Sequence, residues 1–228
     1  MVLIRAKNTE DAWLKAVCAV YSKGDVLTTE DGDDTREMLG LVVKITHPSM
    51  GDKEVPKQYP FKGRALKDYI DQLMTPENRW NFEYTYGERI WNWDGKIDQI
   101  QLAIDRISEN IHTRRATCDL AIPSKDTISN DPPCLRIIDF KIREIKTAPM
   151  LPPVKKLMMT VLFRSHDIFG ASYANWIALG NLQKYVCDEV SKKNGNNIVL
   201  GEIHSYSISG HIYDRDFDGA QSVLKENE

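Results

Sequence analysis

FRSHDIFGASYANWIALG, residues 163–180, joins the end of an apolar strand to the start of a helix. The strand is predicted from KLMMTVLF at 156–163, which is rich in apolar and β-branched residues. The helix is predicted over 172–192, with Trp176 and Leu179 among its apolar positions. Polar side chains at such a junction either cap the helix or bind a ligand, and the other polar segments of the chain must decide between the two. The four junction residues are Arg164, Ser165, His166 and Asp167.

The composition is that of a globular protein of 228 residues, of which 42% are hydrophobic, enough for a substantial core. The net charge of −3 argues against non-specific nucleic-acid binding. No segment approaches the roughly 18 apolar residues of a membrane span. The N-terminal MVLIRAKNTEDAW lacks the apolar stretch of a signal peptide. We therefore expect a soluble cytoplasmic protein with neither a membrane nor a nucleic acid as partner.

Helical and extended patterns mix without strict alternation along the chain. This favours the α+β class, with a large, mixed and mostly buried β-sheet flanked by helices, in a single domain over 1–228. The acidic segment GDVLTTEDGDDTRE, 24–37, is predicted to be a turn-rich loop that carries Arg36. Other helices are predicted at 10–22, 65–74, 97–111 and 216–226, and other strands at 40–48, 115–122, 134–142 and 197–213.

Several common sites have no support in the sequence. There is no GxGxxG, GxxxxGK[ST], HExxH or GxSxG motif, which argues against a dinucleotide fold, a P-loop, a zinc peptidase and an α/β-hydrolase. The four cysteines form no CxxC pair, so neither a disulfide framework nor a metal site is expected.

One cysteine differs from the others by its position. Pro132 and Pro133 form a rigid turn that delivers Cys134 to the start of a strand, where a thiol is fixed yet reachable. A nearby arginine would favour the nucleophilic thiolate. At the junction, Arg164 and Ser165 supply donors suited to a phosphate. A buried structural cysteine and an ordinary helix cap are the simpler explanations of these two features.

Three further features complete the set. The Arg114-Arg115 pair suits a dianionic phosphate, although cations are also favourable at a helix C-terminus. His211 and Tyr213 share one strand face and could bind a sugar hydroxyl, or pack as half-buried aromatics. An aromatic turn at 84–89 stands before two tryptophans. Together the features indicate a nucleotide monophosphate site with covalent chemistry on the base.

The ordered motifs resemble those of the thymidylate synthase family, most closely its short archaeal-type branch. Tyr86-Gly87 is similar to the family's YGxQWR segment, Arg114-Arg115 to its SRR turn and Pro133-Cys134 to its nucleophile motif. RSxD is intact at 164–167, Asn175 has the family's spacing from Arg164, and HxY is intact at 211–213. The matches run from about Tyr84 to Asp218.

The resemblance implies reductive methylation of dUMP to dTMP, in which Cys134 adds to C6 of the base. It implies that Arg164, Ser165, Arg114 and Arg115 bind the phosphate, the arginine pair reaching across from the second subunit of a homodimer, with Arg36 as a further phosphate ligand. The base would be read by the Asp167 backbone and the Asn175 side chain, and the ribose by His211 and Tyr213. Tyr86 would support the thiol. Asp167 would also contact the cofactor, and His166 has no implied role.

The chain also departs from the family pattern. Leu135 follows the nucleophile where the family usually has His, and the glutamate that organises water near the base has no clear match. Only 15 residues follow Tyr213, which leaves two one-carbon donors open: methylene-tetrahydrofolate or a modified methylene-tetrahydropterin.

Three alternatives to this function remain open at the level of the sequence. A pyrimidine deoxynucleotide hydroxymethylase of the same superfamily, acting on dCMP or dUMP, would use the same site. A non-catalytic nucleotide-binding or RNA-binding relative is disfavoured by the intact Cys134. A cysteine hydrolase lacks any local signature. Asn175 favours dUMP over dCMP because a carboxamide can pair with O4 and N3–H of uracil.

Overall fold

The computed structural model describes residues 1–49, 55–79, 82–146 and 150–227. The strands found there are Val2–Ala6 (β1), Asp25–Thr28 (β2), Asp34–Ile45 (β3), Thr117–Asp119 (β4), Leu135–Ile145 (β5), Val154–Asp167 (β6) and Ile198–Tyr213 (β7). The helices are Thr9–Lys23 (α1), Gly63–Asp71 (α2), Tyr86–Trp91 (α3), Gln99–Glu109 (α4), Pro123–Asp126 (α5), Ser172–Asn194 (α6) and Phe217–Glu226 (α7).

The strands form one mixed sheet in the order β1-β3-β7-β6-β5-β4, with β2 paired to the first part of β3. The pairs β1–β3 and β6–β7 are parallel, and the remaining pairs are antiparallel. A parallel pair cannot be joined by a tight turn, and α6 supplies the crossover between β6 and β7. This architecture confirms the prediction of an α+β fold with a large mixed sheet flanked by helices.

Helix α6 is the central helix of the core. Its first eight residues are all buried, and it contacts β6 and β7 on one side and α1, α2 and α4 on others. The first half of the helix is covered on all sides and has no polar face, whereas polar residues of the second half, such as Lys184 and Asp188, are exposed. The helix ends at Gly195, which takes the left-handed conformation (φ 67°) typical of a C-terminal glycine.

The segment 24–37 differs from its prediction. It was expected to be a loop, but β2 and the start of β3 pair there as an antiparallel hairpin, with Thr28 opposite Asp34. All four residues of β2 are exposed, so no alternation of apolar and polar residues marks the strand. Strand β1 and helix α3 were also not predicted. The assignment of 1–228 to a single domain stays a prediction.

Within the described part of the chain, no helix is both long and apolar enough to cross a bilayer. The same residues hold no group of three or more His, Cys, Asp or Glu side chains that could bind a metal ion.

Candidate active site

A pocket of about 540 Å³ opens at the edge of the sheet where β6 and β7 end. Because these strands are parallel and in register, Ser165 lies beside Ser209 and Asp167 beside His211. Eight of the eleven side chains that the sequence nominated line this pocket. They are Tyr86, Cys134, Arg164, Ser165, Asp167, Asn175, His211 and Tyr213.

Arg164 holds the turn that carries the cysteine. Its Nε donates to the carbonyl oxygens of Pro132 (3.2 Å) and Pro133 (3.3 Å), and its backbone N–H donates to the carbonyl of Cys134 (2.8 Å). The guanidinium is still partly exposed to the pocket and lies 4.0 Å from the Asp131 carboxylate. One cation therefore fixes the cysteine turn and also presents N–H groups to a ligand.

The pKa of the Cys134 thiol is set by two opposing effects, burial and the charge of Arg164. Burial raises the pKa of its thiol above the ordinary value, and the Arg164 guanidinium opposes that rise. The sequence argument held that Arg164 would favour the thiolate, and it does act in that direction. Burial has the larger effect, so the unliganded pocket holds a protonated thiol at neutral pH.

Asp167 ends strand β6, with its carboxylate half-buried in the wall of the pocket. Its Oδ1 accepts a hydrogen bond from the backbone N–H of Gly170 (2.8 Å). A Cβ at Gly170 would overlap Asp167 Oδ2, which explains the glycine at that position. Burial raises the pKa of Asp167 to about 6. A carboxylate that is easily protonated can accept hydrogen bonds from a heterocycle or donate one.

Ser165, His211 and Tyr213 lie side by side on the wall of the pocket. Ser165 Oγ is 3.4 Å from His211 Nδ1, and the rings of His211 and Tyr213 meet nearly at right angles, 4.8 Å apart. Burial lowers the pKa of His211 to about 4, so its imidazole is neutral near pH 7. A neutral imidazole and a phenol both donate and accept hydrogen bonds, as recognition of a hydroxyl requires.

Tyr86 enters the pocket from the start of α3. The Thr85 hydroxyl caps the helix by accepting from the Glu88 N–H (3.0 Å), and Tyr86 Oη accepts a long hydrogen bond from the Leu135 N–H (3.4 Å). A side chain at Gly87 would collide with the carbonyl oxygens of Gln72 and Thr75. The Tyr-Gly pair therefore allows α3 to approach the preceding segment closely enough to place the phenol beside the cysteine turn.

Arg36 does not reach the pocket. Its neighbours Thr35 and Glu37 line the pocket, and successive side chains on a strand point to opposite faces. The guanidinium instead stacks over the ring of Tyr21 at 4.7 Å and donates to the Tyr21 carbonyl (2.7 Å), with Phe217 also in contact. This placement argues against the predicted phosphate role of Arg36 and makes it a link between β3, α1 and α7.

Arg114 and Arg115 also lie outside the pocket. They line a separate surface depression of about 580 Å³ after the end of α4, together with Arg106 and His112. Within one chain the pair is not brought to Cys134. A role at the phosphate therefore requires a second copy of the chain, and stays a prediction.

Several pocket residues were missed by the sequence reading. Tyr69 of α2 donates from its hydroxyl to Asn175 Oδ1 (3.1 Å). Asn175 Nδ2 lies 3.3 Å from Nε2 of His166, a residue to which the sequence gave no role. Glu37 accepts a hydrogen bond from the hydroxyl of Ser209. Only Glu37 could have been found from the pattern, by recognising 34–39 as a strand.

Comparison with known proteins gives a consistent result. A family model described as "Thymidylate synthase" matches residues 64–228. A protein named "Putative thymidylate synthase" from Methanococcoides burtonii is 39% identical over 223 residues, covering 98% of this chain and 94% of that protein. Proteins of the same name from Methanothermobacter marburgensis and Methanopyrus kandleri are 35% identical over 235 residues and 28% over 215. They cover 97% and 94% of this chain, and the same shares of their own lengths.

The resemblance suggested by short motifs is thus confirmed at the level of the family. The matched region contains all the nominated residues except Arg36. Since the family model spans more than half of the chain and relatives above 30% identity align almost end to end, the chain belongs to the thymidylate synthase family of enzymes.

Proposed function

We propose that this enzyme is a methyltransferase that converts dUMP to dTMP by reductive methylation, with Cys134 as the covalent nucleophile. The observation that carries the proposal is the convergence of Cys134, Arg164, Asn175, His211 and Tyr213 on one pocket. These residues supply a nucleophile, a cation, a base-reading amide and a hydroxyl-binding pair, which are the groups that a pyrimidine nucleotide monophosphate requires.

Binding comes first in the proposed mechanism. The guanidinium of Arg164 and the hydroxyl of Ser165 receive the phosphate, while His211 and Tyr213 bind the ribose hydroxyl. Asn175 then meets the edge of the uracil, donating to O4 and accepting from N3–H. These contacts set C6 of the base within reach of Cys134 Sγ, so that the addition becomes an intramolecular step.

The chemical step follows from the polarity of uracil. C5 is a weak nucleophile, and addition of the Cys134 thiolate at C6 converts it into an enolate-like carbon. Charge develops on O4, where the Asn175 N–H can stabilise it. Because the thiol is protonated in the unliganded pocket, it must lose its proton before or during the attack. Once the one-carbon unit is attached to C5, the C5 proton has left and a hydride has completed the methyl group, the C6–S bond breaks, the thiolate returns to Cys134 and the product is released.

The reduced pterin, when bound, supplies both the one-carbon unit and the hydride that completes the methyl group. The pocket would fit such a molecule at Asp167, because a carboxylate that lines the pocket suits the adjacent N–H donors of a pterin ring. The donor would be methylene-tetrahydrofolate or a modified methylene-tetrahydropterin. Both carry the same 2-amino-4-oxopyrimidine ring with its adjacent N–H donors, so the contact with Asp167 does not choose between them.

A homodimer belongs to the same proposal. Arg164 is the only arginine or lysine that lines the pocket within the described residues, and a phosphate dianion commonly receives more than one cation. Arg114 and Arg115 from a second subunit would supply this charge. A cytoplasmic location also remains part of the proposal.

The decisive experiment is incubation with 5-fluoro-dUMP and methylene-tetrahydrofolate, followed by intact mass and peptide mapping. Fluorine replaces the proton that must leave C5, so the covalent adduct should accumulate on Cys134. The incubation is repeated with a modified methylene-tetrahydropterin as donor. If neither donor gives an adduct, the proposed function is overturned. With dUMP itself, the product mass distinguishes a methyl from a hydroxymethyl group, which is heavier by one oxygen.

The matched control is Cys134→Ser. This variant should lose the adduct and all turnover, yet bind dUMP about as tightly as the unmodified enzyme, because the sulfur contributes little to nucleotide recognition. The buried Cys118, which lies outside the pocket, provides the second control, since Cys118→Ser should retain the adduct.

A further inference from the structure

The carboxamide of Asn175 lies within a chain of four polar side chains, three of which line the pocket. Tyr69 Oη donates to Asn175 Oδ1 (3.1 Å), and Asn175 Nδ2 faces His166 Nε2 (3.3 Å). On its other side, His166 Nδ1 lies 3.0 Å from Ser207 Oγ. The amide is therefore held from both ends, and His166 connects it to the centre of strand β7.

His166 is held rigidly. Its ring stacks on Phe163, with centroids 3.8 Å apart and planes 6° apart, and meets the edge of Trp176 at 5.7 Å. Only 2% of the residue is exposed, and burial lowers its pKa to about 3. The imidazole is thus neutral and cannot turn freely, so it offers one N–H and one lone pair in fixed directions.

The orientation of a carboxamide decides which pyrimidine it can recognise. Uracil presents an acceptor at O4 and a donor at N3–H, whereas cytosine presents a donor at its 4-amino group and an acceptor at N3. Turning the amide by 180° exchanges its C=O and its NH₂. A freely turning asparagine could therefore pair with either base, whereas one held in a single orientation pairs well with only one.

We propose that His166 is a positioning residue that fixes the orientation of the Asn175 carboxamide and thereby makes the pocket select uracil over cytosine. This inference rests on the proposed function. With Nδ1–H donating to Ser207, Nε2 presents its lone pair and accepts from Asn175 Nδ2. The turned amide would set Oδ1 against that lone pair and leave two buried acceptors without a donor.

Tyr69 supports the same orientation. Its hydroxyl lies 3.1 Å from Oδ1, where donation from the phenol satisfies one of the two lone pairs of that oxygen. The second lone pair of Oδ1 and the second N–H of Nδ2 remain available to the base. These are the acceptor and the donor that the uracil edge requires.

The test compares two variants of His166. His166→Phe keeps the aromatic ring between Phe163 and Trp176 but has no nitrogen, whereas His166→Gln can place an amide oxygen near the position of Nε2. The dissociation constants of dUMP and dCMP are measured by titration calorimetry. His166→Phe should reduce the preference for dUMP by about ten-fold, the usual effect of one displaced hydrogen bond. His166→Gln should restore most of that preference.

A matched control is His204→Phe, at a histidine of the same sheet that does not line the pocket; it should keep the preference of the unmodified enzyme. If His166→Phe also keeps that preference while the unmodified enzyme forms the 5-fluoro-dUMP adduct, the role of His166 is overturned and the proposed function stands. If the unmodified enzyme forms no adduct and prefers neither nucleotide, both fail together.

A second measurement covers the case in which His166→Phe does not fold. The ¹⁵N NMR shifts of the imidazole distinguish the two neutral tautomers in the unmodified enzyme. The Nδ1–H tautomer is expected, and it would support the orientation of Asn175 described above. An Nε2–H tautomer would place a donor against Asn175, require the opposite amide orientation and overturn the inference.

Discussion

Replacing Asp167 by asparagine should stabilise the protein at neutral pH, because the folded state partly removes this carboxylate from water. Burial raises the pKa of this group from its ordinary value of 3.8 to about 6, with Asp216 and Arg215 acting in opposite directions. A pKa that is raised in the folded state favours folding at low pH, and this advantage is lost as the pH rises through about 6. Each unit of pKa corresponds to about 1.4 kcal/mol.

The variant removes this titration and keeps an oxygen to accept from the Gly170 N–H. The free energy of unfolding of Asp167→Asn, minus that of the unmodified protein, should therefore increase by about 2 to 3 kcal/mol between pH 4 and pH 8. Urea unfolding at both pH values measures this difference, and contributions from other groups, such as His166 and His211, cancel in the subtraction. Asp25→Asn, in the exposed strand β2, is the matched control and should show no such increase. An equally flat result for Asp167→Asn would show that the carboxylate is well solvated or well paired, and would refute the reasoning.

Three further predictions concern the nucleotide edge, the thiol and the support of α3. Asn175→Asp should shift the preference towards dCMP, because a protonated carboxyl presents a donor and an acceptor to cytosine; an unchanged ratio of kcat/KM values would remove Asn175 from base reading. Alkylation of Cys134 by iodoacetamide, followed by peptide mass, should still accelerate above pH 9, since burial raises its pKa, whereas a plateau near pH 7 would contradict that direction. Asp126→Ala should lower the free energy of unfolding by about 3 to 5 kcal/mol in urea, because it leaves Arg89 buried without its partner at 2.8 Å. The double variant with Arg89→Met should be less destabilised, and an equal loss in both would show that the pair is not coupled.

The sequence predicted the helices and strands whose own residues carry a clear apolar pattern. Helix α6 and strand β6 are covered by apolar neighbours, and their patterns show it directly. Strand β2 is exposed at all four positions, so its extended form depends on pairing with β3 and not on its own residues. The error at 24–37 follows from this dependence on tertiary pairing.

Pocket residues could be predicted from the sequence where a short motif carries several polar or nucleophilic side chains. The residues of these motifs to which the resemblance gave roles line the pocket: Cys134, Arg164, Ser165, Asp167, His211 and Tyr213. Arg36 lies on Tyr21 outside the pocket, which argues against the phosphate role that the resemblance implied. With its segment taken for a loop, the alternation of strand faces that separates Arg36 from Thr35 and Glu37 could not be used. Tyr69 and His166 could not be assigned from the sequence, because their importance comes from contacts with Asn175 across the fold. The roles of all these residues in binding and catalysis remain predictions.

The pairing of β6 with β7 also limits where residues can be inserted or deleted in this enzyme. Loss or gain of one residue within 205–213 would turn His211 and Tyr213 to the opposite face of the sheet. The same change in β6 just before Asp167 would turn the Asp167 side chain to the opposite face. Insertions in the turn at 29–33 would leave these pairings intact. We therefore expect natural variants of this chain to differ in length at the pocket rim and to conserve the spacing from 163 to 175 and from 205 to 213.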